Sequence, residues 1–135
     1  MSVLKQKLQK SQPKSQNKAT GALGESIASS FLVNKGYTIV EKNATSRWGE
    51  IDIIARKPNG ALVFVEVKCK IGINHGMPYE SVTYGKLKRL SKTIQFYLLK
   101  NRISQSKLAI EVISIVLDKD HTITKINHFE NIAIV

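Results

Sequence analysis

The strongest constraint on the fold is a pair of short apolar segments joined by a turn, at residues 49–57 and 61–70. Both segments are rich in isoleucine and valine, which favour β-strands. Between them stands Pro58-Asn59-Gly60, a sequence typical of a β-hairpin turn. We therefore predict that the two segments form adjacent antiparallel strands.

Each predicted strand contains charged residues that its apolar neighbours do not explain. Asp52 stands between two isoleucines in the first strand, and Glu66 and Lys68 follow the apolar run of the second. Because strand side chains alternate between faces, Glu66 and Lys68 lie on the same face. Charged groups in such a setting are costly unless they are paired or bind something. These three residues are therefore the first candidates for a functional site.

The length of the turn decides whether Asp52 and Glu66 can meet. A three-residue turn, Pro58–Gly60, places Asp52 opposite Glu66 on one face, with Cβ atoms about 4.5–5.5 Å apart. A two-residue Asn-Gly turn instead places Asp52 opposite Val67. We expect the longer turn, because the two carboxylates could then share a divalent cation. Oxygen ligands of this kind suit Mg²⁺ or Mn²⁺.

The rest of the chain predicts one domain. Residues 1–19 are rich in lysine, contain no acid and show no apolar periodicity, which is typical of a flexible basic leader. Residues 20–135 predict a single α/β domain, whose first helix has Thr20 as its N-cap. Outside the hairpin we predict two helices, at residues 20–35 and 80–101. We also predict three strands, at residues 37–44, 108–117 and 121–126. This α-β-β-β-α-β-β order implies a mixed sheet.

The net charge indicates the class of partner. The chain has 21 lysines and arginines against 10 acids, a formal charge of +11, which favours polyanions such as nucleic acid. The nucleic-acid-binding candidates lie on the second helix and before the second strand: Lys86, Lys88, Arg89, Lys92 and Arg47. A solvated basic face is the alternative interpretation of the helix. Arg47 and Trp48 could stack on a base, although a single tryptophan also commonly packs at the margin of a core.

Other classes of site and location are disfavoured. Cys69 is the only cysteine, so an internal disulfide cannot form, and the three histidines lack metal-ligand spacing. The apolar runs are too short to span a membrane, and the N-terminus has no secretory signal. We expect a cytoplasmic protein. On the first helix, Glu25 lies at the edge of the apolar face and could reach a site beside the core, although an acid near a helix start is also ordinary.

Two strings carry a resemblance to a known family: Gly49-Glu50-Ile51-Asp52-Ile53-Ile54-Ala55 and Val63-Phe64-Val65-Glu66-Val67-Lys68. They resemble the YraN-like family of small bacterial proteins, which is grouped with the PD-(D/E)XK nucleases and is similar to archaeal Holliday-junction resolvases. Gly24-Glu25, Asn43, Gly76, Pro78 and Lys86 fit the same pattern. The resemblance covers about residues 20–135 and implies a restriction-endonuclease-like fold.

By the same resemblance, Glu25, Asp52, Glu66 and Lys68 are expected to be catalytic, with Glu25, Asp52 and Glu66 holding Mg²⁺ or Mn²⁺. Glu50 is an auxiliary candidate. One segment departs from the family, which usually carries Arg-Phe-Asp-Val where this chain has Ala109-Ile110-Glu111-Val112. No phosphate-binding or metal-binding role is carried over to that segment.

The resemblance and the residues lead to one favoured function. We predict a metal-dependent endonuclease that hydrolyses DNA phosphodiesters, including branched or repair intermediates, through a metal-activated water. The first alternative is a nucleic-acid-binding module that keeps the fold without cleaving, and the second is a structural subunit whose acidic site holds a metal only for stability. For a four-way-junction substrate we expect a two-fold symmetric homodimer.

Overall fold

A computed structural model describes residues 14–72, 84–104 and 108–134 of the chain. The elements follow in the order α1 (Lys14–Asn34), β1 (Thr38–Ser46), β2 (Gly49–Arg56), β3 (Leu62–Ile71), α2 (Tyr84–Lys100), β4 (Leu108–Leu117) and β5 (Ile123–Ile134). The predicted α-β-β-β-α-β-β order is confirmed. Within the described ranges, no helix has the length and apolar character needed to cross a membrane.

The five strands form one mixed sheet in the order β1-β2-β3-β4-β5. Strands β1 to β3 make an antiparallel meander, β4 lies parallel to β3, and β5 is antiparallel to β4. Parallel neighbours need a crossover connection rather than a tight turn. Helix α2 lies in that connection, between β3 and β4. The predicted mixed sheet is therefore confirmed.

Each helix covers one face of the sheet. On one face, Ala28 and Leu32 of α1 are fully buried in a cluster that includes Ile53. On the other face, Ile94 of α2 is fully buried in a cluster that includes Phe64. Full burial of a side chain as large as that of Leu32 or Ile94 stabilises a fold by about 1.5–3 kcal/mol. The two clusters therefore hold the helices to opposite faces and fix which side each helix serves.

The turn between β2 and β3 contains three residues, as predicted. The Lys57 N–H donates to the Ala61 carbonyl at 2.9 Å, and the Gly60 N–H donates to the Lys57 carbonyl at 2.9 Å. Gly60 has φ 89°, a left-handed conformation that favours glycine. Strand pairing then runs from Arg56 opposite Leu62 to Ile53 opposite Val65. This is the register expected for the three-residue turn.

Among the described residues, the start of α1 and the end of β5 differ most from the predicted boundaries. Helix α1 begins at Lys14 rather than at Thr20, so Thr20 is not its N-cap and residues 14–19 are helical. The segment 14–20 contains no glycine or proline, so nothing in its sequence ends a helix there. Three predicted segments lie outside the described residues: the leader at 1–13, the loop at 73–79 and the start of the second helix at 80–83.

Strand β5 is longer than the strand predicted at 121–126, because it continues to Ile134. Its alternation is interrupted where the β4–β5 register shifts between Ile110 and Val112. Nearby Asn131 has φ 51°, a conformation that asparagine tolerates better than most residues. Between the pairs Ile110–Ala133 and Val112–Phe129, β4 has one residue and β5 has three, so the two extra residues of β5 interrupt the period-two pattern by which a strand is predicted.

Candidate active site

The candidate site begins at an irregularity in β2. In a regular strand Ile51 and Ile53 would face the same side, but Ile53 packs in the α1 cluster and Ile51 in the α2 cluster. The alternation therefore changes at Asp52. On the neighbouring strand β1, Asn43 has φ 54° at the corresponding position. Asp52 therefore lies at an irregular point of β2, opposite the left-handed Asn43 of β1.

A backbone hydrogen bond fixes the Asp52 carboxylate. Regular pairing of β2 with β3 ends at Ile53 and Val65, one pair short of Asp52 and Glu66. Beyond that point the Val67 N–H donates to Asp52 Oδ2 at 2.8 Å. The carboxylate therefore contacts the backbone of β3 at the point where the regular pairing of the two strands ends.

Three carboxylates gather at this point. Ligand oxygens of Glu25, Glu50 and Asp52 all lie within 4.8 Å of one another. With its amide nitrogen turned toward them, Asn43 donates to Glu25 Oε1 at 2.9 Å and to Glu50 Oε1 at 2.8 Å. Helix α1 and strand β2 supply the three acids, while the left-handed Asn43 of β1 orients two of them.

Gly24 brings helix α1 close enough to deliver Glu25. A Cβ atom at Gly24 would lie 2.5 Å from the Cβ of Cys69 on β3, a distance that real side chains do not reach. Only glycine therefore permits this approach of the helix to the strand. The close contact explains how an acid from α1, on one face of the sheet, reaches a site that α2 borders from the other face.

The surroundings of Asp52 disfavour its ionisation. Burial and then the charge of Glu66 raise the pKa of Asp52 to about 7, with further contributions from Glu25 and Glu50, despite the opposing hydrogen bond from Val67. An acid next to like charges and partly removed from water is harder to ionise. The cluster therefore has an excess of negative charge that a divalent cation would compensate.

Glu66 is engaged by two lysines. Its Oε1 lies 3.1 Å from Lys86 Nζ and 3.4 Å from Lys68 Nζ. Burial and the neighbouring Lys68 lower the pKa of Lys86, despite the attraction of Glu66. Burial lowers the pKa of Lys68, but a hydrogen bond with Lys86 and the charges of Glu66 and Asp52 outweigh it and raise the pKa. The two lysines therefore share one carboxylate at the edge of the acidic cluster.

A cleft of about 150 Å³ opens beside these charges. Its lining comes from the β1–β2 turn, the two site strands and α2: Trp48, Gly49, Glu50, Glu66, Lys86, Arg89, Leu90 and Thr93. Lys88, Arg89 and Lys92 of α2 are exposed, and Leu90, Thr93 and Ile94 are buried. The basic side of the helix therefore faces outward beside the cleft.

The structure brings together all the residues predicted to be catalytic, although their grouping differs from the one expected. Asp52 lies with Glu25 and Glu50, whereas Glu66 lies with Lys68 and Lys86. Glu50 was only an auxiliary candidate. Regular alternation would place Glu50 on the same side as Asp52, but the alternation changes at Asp52, so strand periodicity does not explain this contact.

Glu111, in the segment that departs from the family pattern, belongs to a different cluster. Its side chain has no exposed surface and lies 2.9 Å from Lys57 Nζ and 2.8 Å from His128 Nε2. The Tyr37 hydroxyl donates to it at 3.0 Å. Glu111 is thus saturated by donors and is not one of the acids grouped around Asp52.

Comparison with known proteins identifies the family. A model of the Uncharacterised protein family UPF0102 matches residues 24–115. The chain belongs to this family. A UPF0102 protein of Persephonella marina is 47% identical over 96 residues, covering 71% of this chain and 82% of that protein. One from Clostridium novyi is 41% identical over 115 residues, covering 85% of this chain and 95% of that protein.

The UPF0102 match confirms the YraN-like resemblance. A third relative, from Alkaliphilus oremlandii, is 44% identical over 118 residues, covering 85% of this chain and 97% of that protein. The matched range 24–115 contains every candidate site residue, from Glu25 to Lys92. The UPF0102 name states no activity, so a function must be argued from the site itself.

Proposed function

We propose that this UPF0102 protein is a metal-dependent nuclease that hydrolyses DNA phosphodiester bonds. The observation that carries the proposal is the convergence of three carboxylates, Glu25, Glu50 and Asp52, within 4.8 Å, beside a carboxylate paired with two lysines. Acids that hold a cation, together with a lysine that meets developing phosphate charge, are groups that metal-dependent phosphodiester hydrolysis uses.

The residues fit a divalent cation on two grounds. All three ligand atoms are carboxylate oxygens, the donors that Mg²⁺ and Mn²⁺ prefer. Their mutual repulsion also contributes to the raised pKa of Asp52, a cost that a bound cation would remove. Glu25, Glu50 and Asp52 would hold the ion. When bound, it would supply Lewis-acid polarisation of a phosphoryl oxygen.

The chain's own groups have separable tasks in this proposal. The Val67 N–H keeps Asp52 in place, and Asn43 orients Glu25 and Glu50. Glu66 holds the Lys68 ammonium beside the acids, where it can stabilise the negative charge that develops on the phosphate. Because Lys86 also pairs with Glu66, its first task is to position that carboxylate.

The exposed basic side of α2 supports DNA as the substrate. Arg89 lines the cleft, and Lys88 and Lys92 are exposed on the same helix, so a DNA backbone that extends from the cleft along α2 would meet positive charge. Phosphate contacts of this kind position a duplex without reading its sequence. The formal charge of +11 acts in the same direction.

The test is Mn²⁺-dependent cleavage of labelled single-stranded, duplex, flap and four-way-junction DNA. Lys68→Ala should lower turnover by at least about 100-fold and leave DNA binding nearly unchanged. Lys125→Ala is the matched control, because it removes the same charge from an exposed position on β5. Both variants are purified in parallel with the wild type, so that a contaminating nuclease is recognised.

The outcomes are distinct. Cleavage by the wild type and Lys125→Ala, but not by Lys68→Ala, supports the nuclease. Equal cleavage by all three points to a contaminant. DNA binding without cleavage by any of them contradicts the proposal and favours a binding module that retains the fold.

A further inference from the structure

The β1–β2 turn presents an aromatic residue at the wall of the cleft. Arg47 and Trp48 are the two residues between the paired Ser46 and Gly49. The Trp48 N–H donates to Ser46 Oγ at 3.1 Å, and Ser46 Oγ lies 3.3 Å from Thr93 Oγ1 on α2. The turn is therefore tied both to itself and to the helix, which holds Trp48 in a defined position.

Two neighbours orient the Trp48 ring. The Arg47 guanidinium lies 4.4 Å from the ring centroid, as in a cation–π pair. The Phe96 ring of α2 lies 5.9 Å away, edge to face. Arginine planes and indole rings both stack on nucleic-acid bases. The Arg47–Trp48 pair is thus an ordered, positively charged stacking surface.

The cleft matches a single ring in size and charge. Its volume of about 150 Å³ is comparable with an engineered protein cavity that accommodates benzene. Trp48 and Leu90 give it apolar walls, and Arg89 adds positive charge. Glu50 lines the same cleft, so an occupant would lie directly beside the acidic cluster.

We propose that this cleft receives one unpaired base of the DNA substrate, stacked against the Arg47–Trp48 pair. The inference rests on the proposed nuclease function, since the adjoining phosphate would then reach the acids at Asp52. A base inside a continuous duplex can enter only by leaving its stack and its partner, which carries an energetic penalty. The substrate class is therefore DNA with an unpaired nucleotide beside the cleaved bond.

Trp48 itself reports on the occupant. It is the only tryptophan of the chain, so intrinsic fluorescence comes from this position. The experiment compares binding of a single-stranded oligonucleotide with that of a matched strand of the same number of phosphates in which the central nucleotides are abasic. We expect the base-bearing strand to alter the fluorescence and to bind about 10-fold more tightly. The ratio of the two affinities isolates stacking from phosphate charge.

Variants separate stacking from a packing role. The affinities are measured by fluorescence anisotropy of labelled strands. Trp48→Leu should lower the ratio of the two affinities to about 1, whereas Trp48→Phe should retain most of the wild-type ratio. A melting temperature close to that of the wild type would show that each variant still folds. If Trp48→Leu discriminates the two strands as well as the wild type does, or if the wild type does not discriminate them, the proposal is overturned.

The binding test is independent of cleavage. It is run in Ca²⁺ and repeated in EDTA, and its readout is a ratio of affinities rather than turnover. A base-dependent ratio without any Mn²⁺-dependent cleavage would retain the base subsite and reject the nuclease. Cleavage without a base-dependent ratio would do the reverse.

Discussion

Two acidic side chains in this sheet have opposite surroundings. Glu111 on β4 is completely buried, yet it accepts from Tyr37 and lies within 2.9 Å of both Lys57 and His128. Burial alone would raise its pKa, but the hydrogen bonds from His128, Lys57 and Tyr37 lower it to about 2. Its charge is therefore compensated within the fold.

Asp52 on β2 is less buried but worse compensated. Val67 donates the one hydrogen bond that lowers its pKa, whereas burial and the charges of Glu66, Glu25 and Glu50 raise it to about 7. The two lysines of the site, Lys68 and Lys86, pair with Glu66 instead. The fold thus supplies the counter-charge for Glu111 but not for Asp52. Carboxylates with perturbed pKa values of this kind occur often at functional sites.

The comparison makes opposite predictions for the two clusters. Where the fold supplies the counter-charge, removing it should destabilise the protein. Where a ligand supplies the counter-charge, removing a site charge should cost little stability or even increase it. Three measurements of the free energy of unfolding test this difference.

The largest effect is expected at Lys57. Lys57→Ala leaves Glu111 buried without its lysine partner, and breaking such a pair costs about 3–5 kcal/mol. Lys68→Ala is the matched change in the acidic cluster, and it should cost less than about 1 kcal/mol because Lys86 remains bound to Glu66. Urea unfolding at neutral pH measures both. Equal losses would mean that the two clusters are structural to the same degree.

The second effect is the acid dependence of the Glu111 cluster. The folded pKa of Glu111, about 2, is below the ordinary value of 4.5, so its ionised form stabilises the fold above pH 4.5. That stabilisation, about 3 kcal/mol, should be lost as pH falls from 4.5 to 2. Glu111→Gln cannot titrate, so its unfolding free energy should fall less over this range. Parallel pH profiles for the two proteins would contradict the assignment.

The features of these clusters that depend on residues close together in the sequence could be predicted from it, whereas those that depend on distant contacts could not. The β2–β3 register followed from a turn of three residues, because the pairing of a hairpin is set where it turns. The charges of Glu66 and Lys68 stood out because they interrupt an apolar strand. With a three-residue turn, the hairpin sequence predicts that Asp52, Glu66 and Lys68 lie near one another, but it does not predict that Glu66 pairs with two lysines while Asp52 lies with other acids.

The remainder of the site depends on distant contacts. The change of alternation at Asp52 occurs beside the left-handed Asn43, which belongs to another strand. Glu111 finds Lys57 and His128 from segments far away in sequence, and no spacing of histidines pointed to that contact. Pairing irregularities and buried ion pairs are decided by tertiary packing, which local patterns do not record.

The smallest effect is a gain of stability at Asp52. In metal-free protein above pH 7 the ionised Asp52 opposes folding, because its folded pKa of about 7 exceeds the ordinary 3.8. Asp52→Asn removes that charge while its side-chain oxygen can still accept from Val67. We expect a gain of about 2 kcal/mol, roughly half the full linkage value since the group is partly exposed.

The pH and metal dependence of this gain identify its cause. The gain should shrink as pH falls from 7 toward 4, where the wild-type carboxyl becomes protonated in the folded protein. Mn²⁺ should raise the melting temperature of the wild type more than that of Asp52→Asn, because it binds the folded carboxylates. Glu111→Gln is the control, since it alters a carboxylate that already has protein partners. If Asp52→Asn instead destabilises the metal-free protein at pH 8, the charge deficit at Asp52 does not exist and the acidic cluster is structural like that of Glu111.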